Sequence, residues 1–224
     1  MRIALALVLA VLVDASAFAD APAPWAGFVP QGFHVVDTIR GDLNHDGQDD
    51  VILLVKADDP AGVVTNDFGK RVDRNRRGLV IAFRDHDGYK LALKNPTVFS
   101  SENEDGGVYY PPELSVEVAR GSLVLHYAHG RYGYWRYVFR WQQGGFTLIG
   151  YDRSEDRGPV VETVTSINVA TGKKVMKVNM NAGVPDKDER FVDHWSRITL
   201  REPIRLQDIA DLDDGFVEKA LGER

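Results

Sequence analysis

The sequence predicts a mainly β protein, built of antiparallel sheets in a propeller-like or sandwich arrangement, with one C-terminal helix. Three features predict it: short β-type runs separated by turn residues, a strict two-residue alternation over Tyr134–Trp141, and a change to three-to-four spacing only in the tail.

Taken in order, Met1-Arg2 supplies a positive charge, Ile3 to Val13 is an unbroken apolar run, and Ala17-Phe18-Ala19 offers small residues at a cut. This pattern predicts a secretory signal peptide over 1–19, cleaved near Ala19. The run is shorter than the roughly 20 residues that cross a bilayer as a helix, and no later segment approaches that length. The expected mature chain therefore has no membrane span and is periplasmic or secreted. Ala21-Pro22-Ala23-Pro24, with Trp25, Gly27 and Pro30 behind it, reads as an extended lead-in over 20–32, because each proline removes a donor and biases its predecessor away from helix. A single β-domain is expected over 33–224.

Within it, Val51 to Val55 is a continuous apolar strand, and Gly78 to Phe83 pairs with Tyr89 to Leu93 across Asp85-His86-Asp87-Gly88. Ser122 to Tyr127 follows. Tyr134 to Trp141 forms a hairpin with Phe146 to Tyr151 through Gln142-Gln143-Gly144-Gly145. Its residues Trp135, Tyr137, Phe139 and Trp141 share one face, suited to a core. A second hairpin runs from Val161–Val169 through Ala170-Thr171-Gly172-Lys173 to Lys174–Asn179, and Arg190–Leu200 reads as a last strand. Leu206, Ile209, Leu212, Phe216, Val217 and Leu221 recur at helical spacing and predict an amphipathic helix.

Composition narrows the function. The formal net charge of −6 argues against a nucleic-acid partner, whose footprint would be basic. Cysteine is absent, which removes disulfides, thiol chemistry and cysteine-based metal sites. Export without disulfides fits a bacterial periplasm or surface.

Residues 42 to 50 spell DLNHDGQDD, and there the spacing carries the chemistry. Oxygens at the first, third and fifth positions converge when the chain wraps a cation, glycine at the sixth permits the bend, and the seventh contributes its carbonyl. Asp42, Asn44, Asp46 and the Gln48 carbonyl fill these roles, and Asp50 at the ninth position completes the set. The twelfth position, where an EF-hand carries glutamate, is Leu53. A helix–loop–helix is therefore excluded in that form. His45 is not an expected ligand. The second acidic run, Asp211-Leu212-Asp213-Asp214-Gly215, lacks the alternate spacing and reads as a helix cap by Asp213 or Asp214.

The stretch GDLNHDGQDDVILLV, Gly41 to Val55, resembles the calcium loops of FG-GAP and VCBS-type repeats, which share DxNxDGxxD followed by a hydrophobic strand. The resemblance covers about fifteen residues and occurs once. It implies Ca²⁺ as the cofactor, held by Asp42, Asn44, Asp46, Gln48 and Asp50 at distances of roughly 2.3–2.6 Å.

No HExxH, GxSxG, P-loop or GxGxxG is present, so a non-enzymatic binding or inhibitor role is expected, with a calcium-stabilised structural surface domain and then a glycan hydrolase as the alternatives. His126 and His129 would face opposite sides of a strand. Glu102, Glu104 and Asp105 read as a solvated loop. By contrast, His129-Gly130-Arg131-Tyr132-Gly133-Tyr134-Trp135-Arg136 places Tyr, Trp and Arg on a bend, the residue types that dominate binding hot spots. Arg131, Tyr132, Tyr134 and Arg136 are the candidate partner-binding residues. Together with FTLIGYDRS and TSINVATGK, the segment GRYGYWRYVFRW resembles a group of bacterial periplasmic proteins, and is similar to immunity proteins that protect against lysozyme-like effectors. The lipobox cysteine frequent in such immunity proteins is missing. This resemblance implies a peptidoglycan hydrolase or other secreted effector as partner, inhibited by a loop entering a glycan cleft.

Overall fold

A computed structural model of the chain describes residues 23–104, 111–200, 202–212 and 215–221. The expected signal peptide lies outside them, as do Asp105, Asp213 and Asp214.

Thirteen strands are described: β1 (Phe33–Gly41), β2 (Asp50–Ala57), β3 (Val63–Thr65), β4 (Arg71–Asp73), β5 (Arg77–Asp85), β6 (Gly88–Phe99), β7 (Glu113–Ala119), β8 (Ser122–Ala128), β9 (Gly133–Gln142), β10 (Gly145–Arg157), β11 (Val160–Asn168), β12 (Lys173–Asn179) and β13 (Phe191–Arg197). They form a four-stranded sheet ordered β1-β2-β5-β6, a seven-stranded meander from β13 to β7, and the short pair β3-β4. Every pairing is antiparallel. The mainly β fold with a short C-terminal helix, α1 (Phe216–Leu221), is as the sequence predicts.

The two larger sheets share one core. Ile52, Leu54, Leu79 and Ile81 of the smaller sheet lie in the same buried cluster as Leu123, Leu125, Tyr137, Phe139 and Tyr151 of the larger. The other face of β2 and β5 carries a second cluster, Val51, Leu53, Val55, Val80 and Ala82, covered by Trp25, Phe28, Val29, Phe33 and Tyr89. That cover explains why Val51–Val55 is apolar without alternation, since a strand buried on both faces has no polar side to show. Within the expected lead-in, Ala26–Phe28 form a 3-10 turn, and Trp25 meets Tyr89 edge-on at 5.4 Å.

The turns follow their chemistry. Between β9 and β10, Gln143 and Gly144 take φ of 51° and 76°, the left-handed pair that a two-residue hairpin turn needs.

The C-terminal helix is shorter than its periodicity suggests. Leu206–Asp208 form a 3-10 turn, and Ile209 to Leu212 are not helical. The Asn95 amide donates to the carbonyls of Leu206 and Ile209 at 2.9 and 2.8 Å, and Leu212 N–H donates to the Val98 carbonyl at 2.9 Å. With those backbone groups satisfied by β6, the segment buries its apolar residues without completing a helix.

At one end of the sheets, Lys56 is 7% exposed, and its ammonium lies 2.7 Å from Asp73 and 2.5 Å from Glu102. Burial pushes its pKa down, but the two carboxylates outweigh that and hold it above the ordinary 10.5. The bond from Lys56 lowers Asp73 below 3.8, and against its burial lowers Glu102 below 4.5. Depressed carboxylates contribute stability above their unfolded values and lose it as pH falls through the folded ones; the raised lysine contributes below 10.5 and loses it as pH rises through its folded value. Melting curves from about pH 3 to about pH 11 should therefore fall at both ends, and Lys56→Met should flatten both limbs. Unchanged limbs in the variant would show that other groups set them.

Candidate functional site

The loop between β1 and β2 begins where the sheets meet. A Cβ on Gly41 would stand 2.7 Å from the Val118 Cβ, so glycine lets β1 end against β7. Leu43, fully buried, drives into the shared core. His45 takes φ of 63° and lays its imidazole over Gly121 in the β7–β8 turn, where an added Cβ would fall 2.0 Å from the ring. The loop is thus seated on both sheets.

Its interior is organised by the expected residues. Asp42 Oδ1 accepts the N–H of His45 at 2.6 Å and of Asp46 at 3.3 Å, and Oδ2 accepts that of Gly47 at 3.0 Å. Asn44 Oδ1 accepts from Asp46 N–H at 2.9 Å, while its amide donates to Asp46 Oδ2 at 2.9 Å. Asp46 Oδ1 accepts from Gln48 N–H at 2.8 Å. Gly47, at φ of 83°, makes the reversal. Against a push upward from burial, the N–H groups of Gly47, His45 and Asp46 and the nearby His45 hold the Asp42 carboxyl below 3.8.

Asp50 closes the loop from the first position of β2. It has no exposed surface, and its oxygens accept Leu43 N–H at 2.8 Å and Arg84 N–H at 3.0 Å. Burial pushes its pKa above 3.8. The bonds from Leu43 and Arg84 oppose that, and the charges of Asp46 and Asp42 add to it. Among the described residues, no lysine or arginine is ion-paired with Asp42, Asp46 or Asp50.

The donors present suit a hard divalent cation: carboxylate oxygens, the Asn44 amide oxygen and the Gln48 carbonyl, with no sulfur or imidazole in the set. Among the described residues, no group of three or more His, Asp or Glu is placed to hold a metal ion by itself.

The structure divides the candidate partner residues. Gly130–Tyr132 form a 3-10 turn on which Arg131 is exposed and Tyr132 is 41% exposed. Tyr134 and Arg136 instead stand on the solvent face of β9. Tyr134 is half-buried against His126, with rings 5.4 Å apart. Arg136 is committed to Asp152 at 2.5 and 3.1 Å, which holds its pKa above the ordinary value. His129 lies outside the strand, against Tyr132 and Trp135. Trp135 packs on the core and stacks on Tyr127 at 5.1 Å.

Sequence reasoning missed Glu102, which caps the buried Lys56 rather than sitting idle in a loop; an acidic run carries no signal for a distant lysine. Comparison of the chain with protein-family models, curated proteins and solved structures found no match.

Proposed function

We propose that this chain is an exported, non-enzymatic β-domain that binds one calcium ion at Asp42, Asn44, Asp46, the Gln48 carbonyl and Asp50. The observation that carries the reading is Asp50: a fully buried carboxylate whose charge is opposed by Asp42 and Asp46, with no described cationic side chain to balance it. A divalent ion bound in the loop by these carboxylates together with Asn44 and the Gln48 carbonyl would offset that repulsion. Calcium suits the site better than magnesium, because a loop replacing so many waters asks for a dehydration that magnesium resists. With Leu43 in the core and His45 on Gly121, an ion here would pin β1, β2 and β7 together, a structural role.

Binding only the folded state stabilises it by RT ln(1 + [L]/Kd), about 2.7 kcal/mol at a hundredfold excess over Kd. At this chain length that corresponds to roughly 5–10 °C in Tm. Chelator should remove the increment, and Asp46→Ala, on an exposed side chain, should abolish the difference between calcium and chelator. Coincident wild-type melts in both conditions would refute the assignment.

Exposed Arg131 and Tyr132 on a 3-10 turn support a second reading, in which the domain inhibits a peptidoglycan hydrolase or other secreted effector. Arg136 would then brace the strand through Asp152 instead of touching the partner. In assays against a panel of peptidoglycan hydrolases, the protein should suppress at least one. Tyr132→Ala should weaken that by about tenfold or more, Tyr134→Ala by less. Full hydrolase activity throughout the panel would leave only the calcium-stabilised domain.

A further inference from the structure

The last strand of the large sheet offers an edge that a second copy of the chain fits. β13 pairs with β12 on one side, and among the described residues no strand pairs with the other. Met180 N–H donates to the Arg190 carbonyl at 2.8 Å, and Ile198 N–H to that of Gly172 at 2.9 Å. These bonds fix the phase of the ladder: even-numbered residues of β13 bond to β12. The backbone groups of Phe191, Asp193, Trp195 and Arg197 therefore point outward.

Two of the usual protections of such an edge are absent from this stretch, which contains no proline and pairs with β12 in unbroken register without a bulge. It also carries Trp195, a large apolar side chain left 67% exposed. Beside the indole, Lys173 stands directly opposite Arg197, like charges that disfavour each other, and both line the hollow next to Trp195. Neither has a carboxylate partner among the described ion pairs.

We infer that two copies join β13 to β13 antiparallel about a two-fold axis at Trp195, making one continuous sheet. That register sets Asp193 of each copy opposite Arg197 of the other, beside Lys173, and places the two indoles together. It forms about six new backbone hydrogen bonds. Moving the axis to His194 sets Asp193 opposite Trp195 and leaves no charge pair, and moving it to Asp193 sets two carboxylates face to face. Charge thus selects both the occupant and the register, since an isologous contact must complement itself.

Sedimentation of the purified chain over on the order of 1–100 µM should show a dimer. Asp193→Arg and Arg197→Asp should each weaken it by about tenfold or more, and the double variant should restore it, because the swapped charges again face each other. Unchanged circular-dichroism spectra of each variant would show that the fold is kept, and Trp195→Ala, an exposed truncation, should also dissociate the pair. A monomer throughout the range, a dimer indifferent to both single changes, or a double variant no tighter than the singles would overturn the proposal. So would a monomer that instead takes up an acidic peptide at Lys173 and Arg197.

Discussion

Asp50→Ala is expected to destabilise the fold by about 2–6 kcal/mol, whether calcium is present or not. The carboxylate accepts two backbone N–H groups, those of Leu43 and Arg84, in a place with no exposed surface. Alanine leaves both donors buried without a partner, and each such group costs about 1–3 kcal/mol. The raised pKa does not contradict this. A group whose folded pKa lies above its unfolded value contributes a stability that is complete below the unfolded value and lost as pH rises through the folded one. Ionisation of Asp50 thus costs the apo fold something at neutral pH, while the two hydrogen bonds persist. Urea unfolding in chelator should separate the roles: a large loss for Asp50→Ala and a change within about 0.5 kcal/mol for exposed Asp46→Ala. Equal losses would mean that Asp50 acts only through the ion.

Leu43→Ala should cost about 2–5 kcal/mol and should also weaken calcium binding. The side chain is fully buried among residues of both sheets, so truncation leaves a cavity where the loop enters the core. Because Leu43 N–H is also the group that Asp50 holds, a loosened Leu43 frees the loop's closing carboxylate. The two substitutions together should therefore cost less than the sum of their separate effects. Strict additivity in urea melts would show that packing and loop closure are independent.

How far the sequence carried these conclusions depended on whether the deciding contacts were local. The hairpin β9–β10 was legible because alternation and a two-residue turn act within a few positions. β1 was not, since the register shift between Val35 and Asp37 breaks its alternation, and Val35 and Val36 are both substantially exposed. The tail failed for a related reason. Leu206, Ile209 and Leu212 repeat as a helix would, but the bonds that decide their backbone come from Asn95 and Val98, more than a hundred residues earlier. At the loop, the spacing grouped residues that the fold does bring into one turn, yet carried no hint that Asp50 also closes the backbone of Leu43 and Arg84. In the aromatic segment it grouped four residues that the fold separates, because Arg136 finds Asp152 on the neighbouring strand.

Titration calorimetry with calcium on the purified chain and on Asp46→Ala bears most directly on the loop. A single equivalent of ion bound by the unmodified chain, with none bound by the variant, is the predicted result. A flat titration of the unmodified chain, or equal uptake by both proteins, would contradict the account.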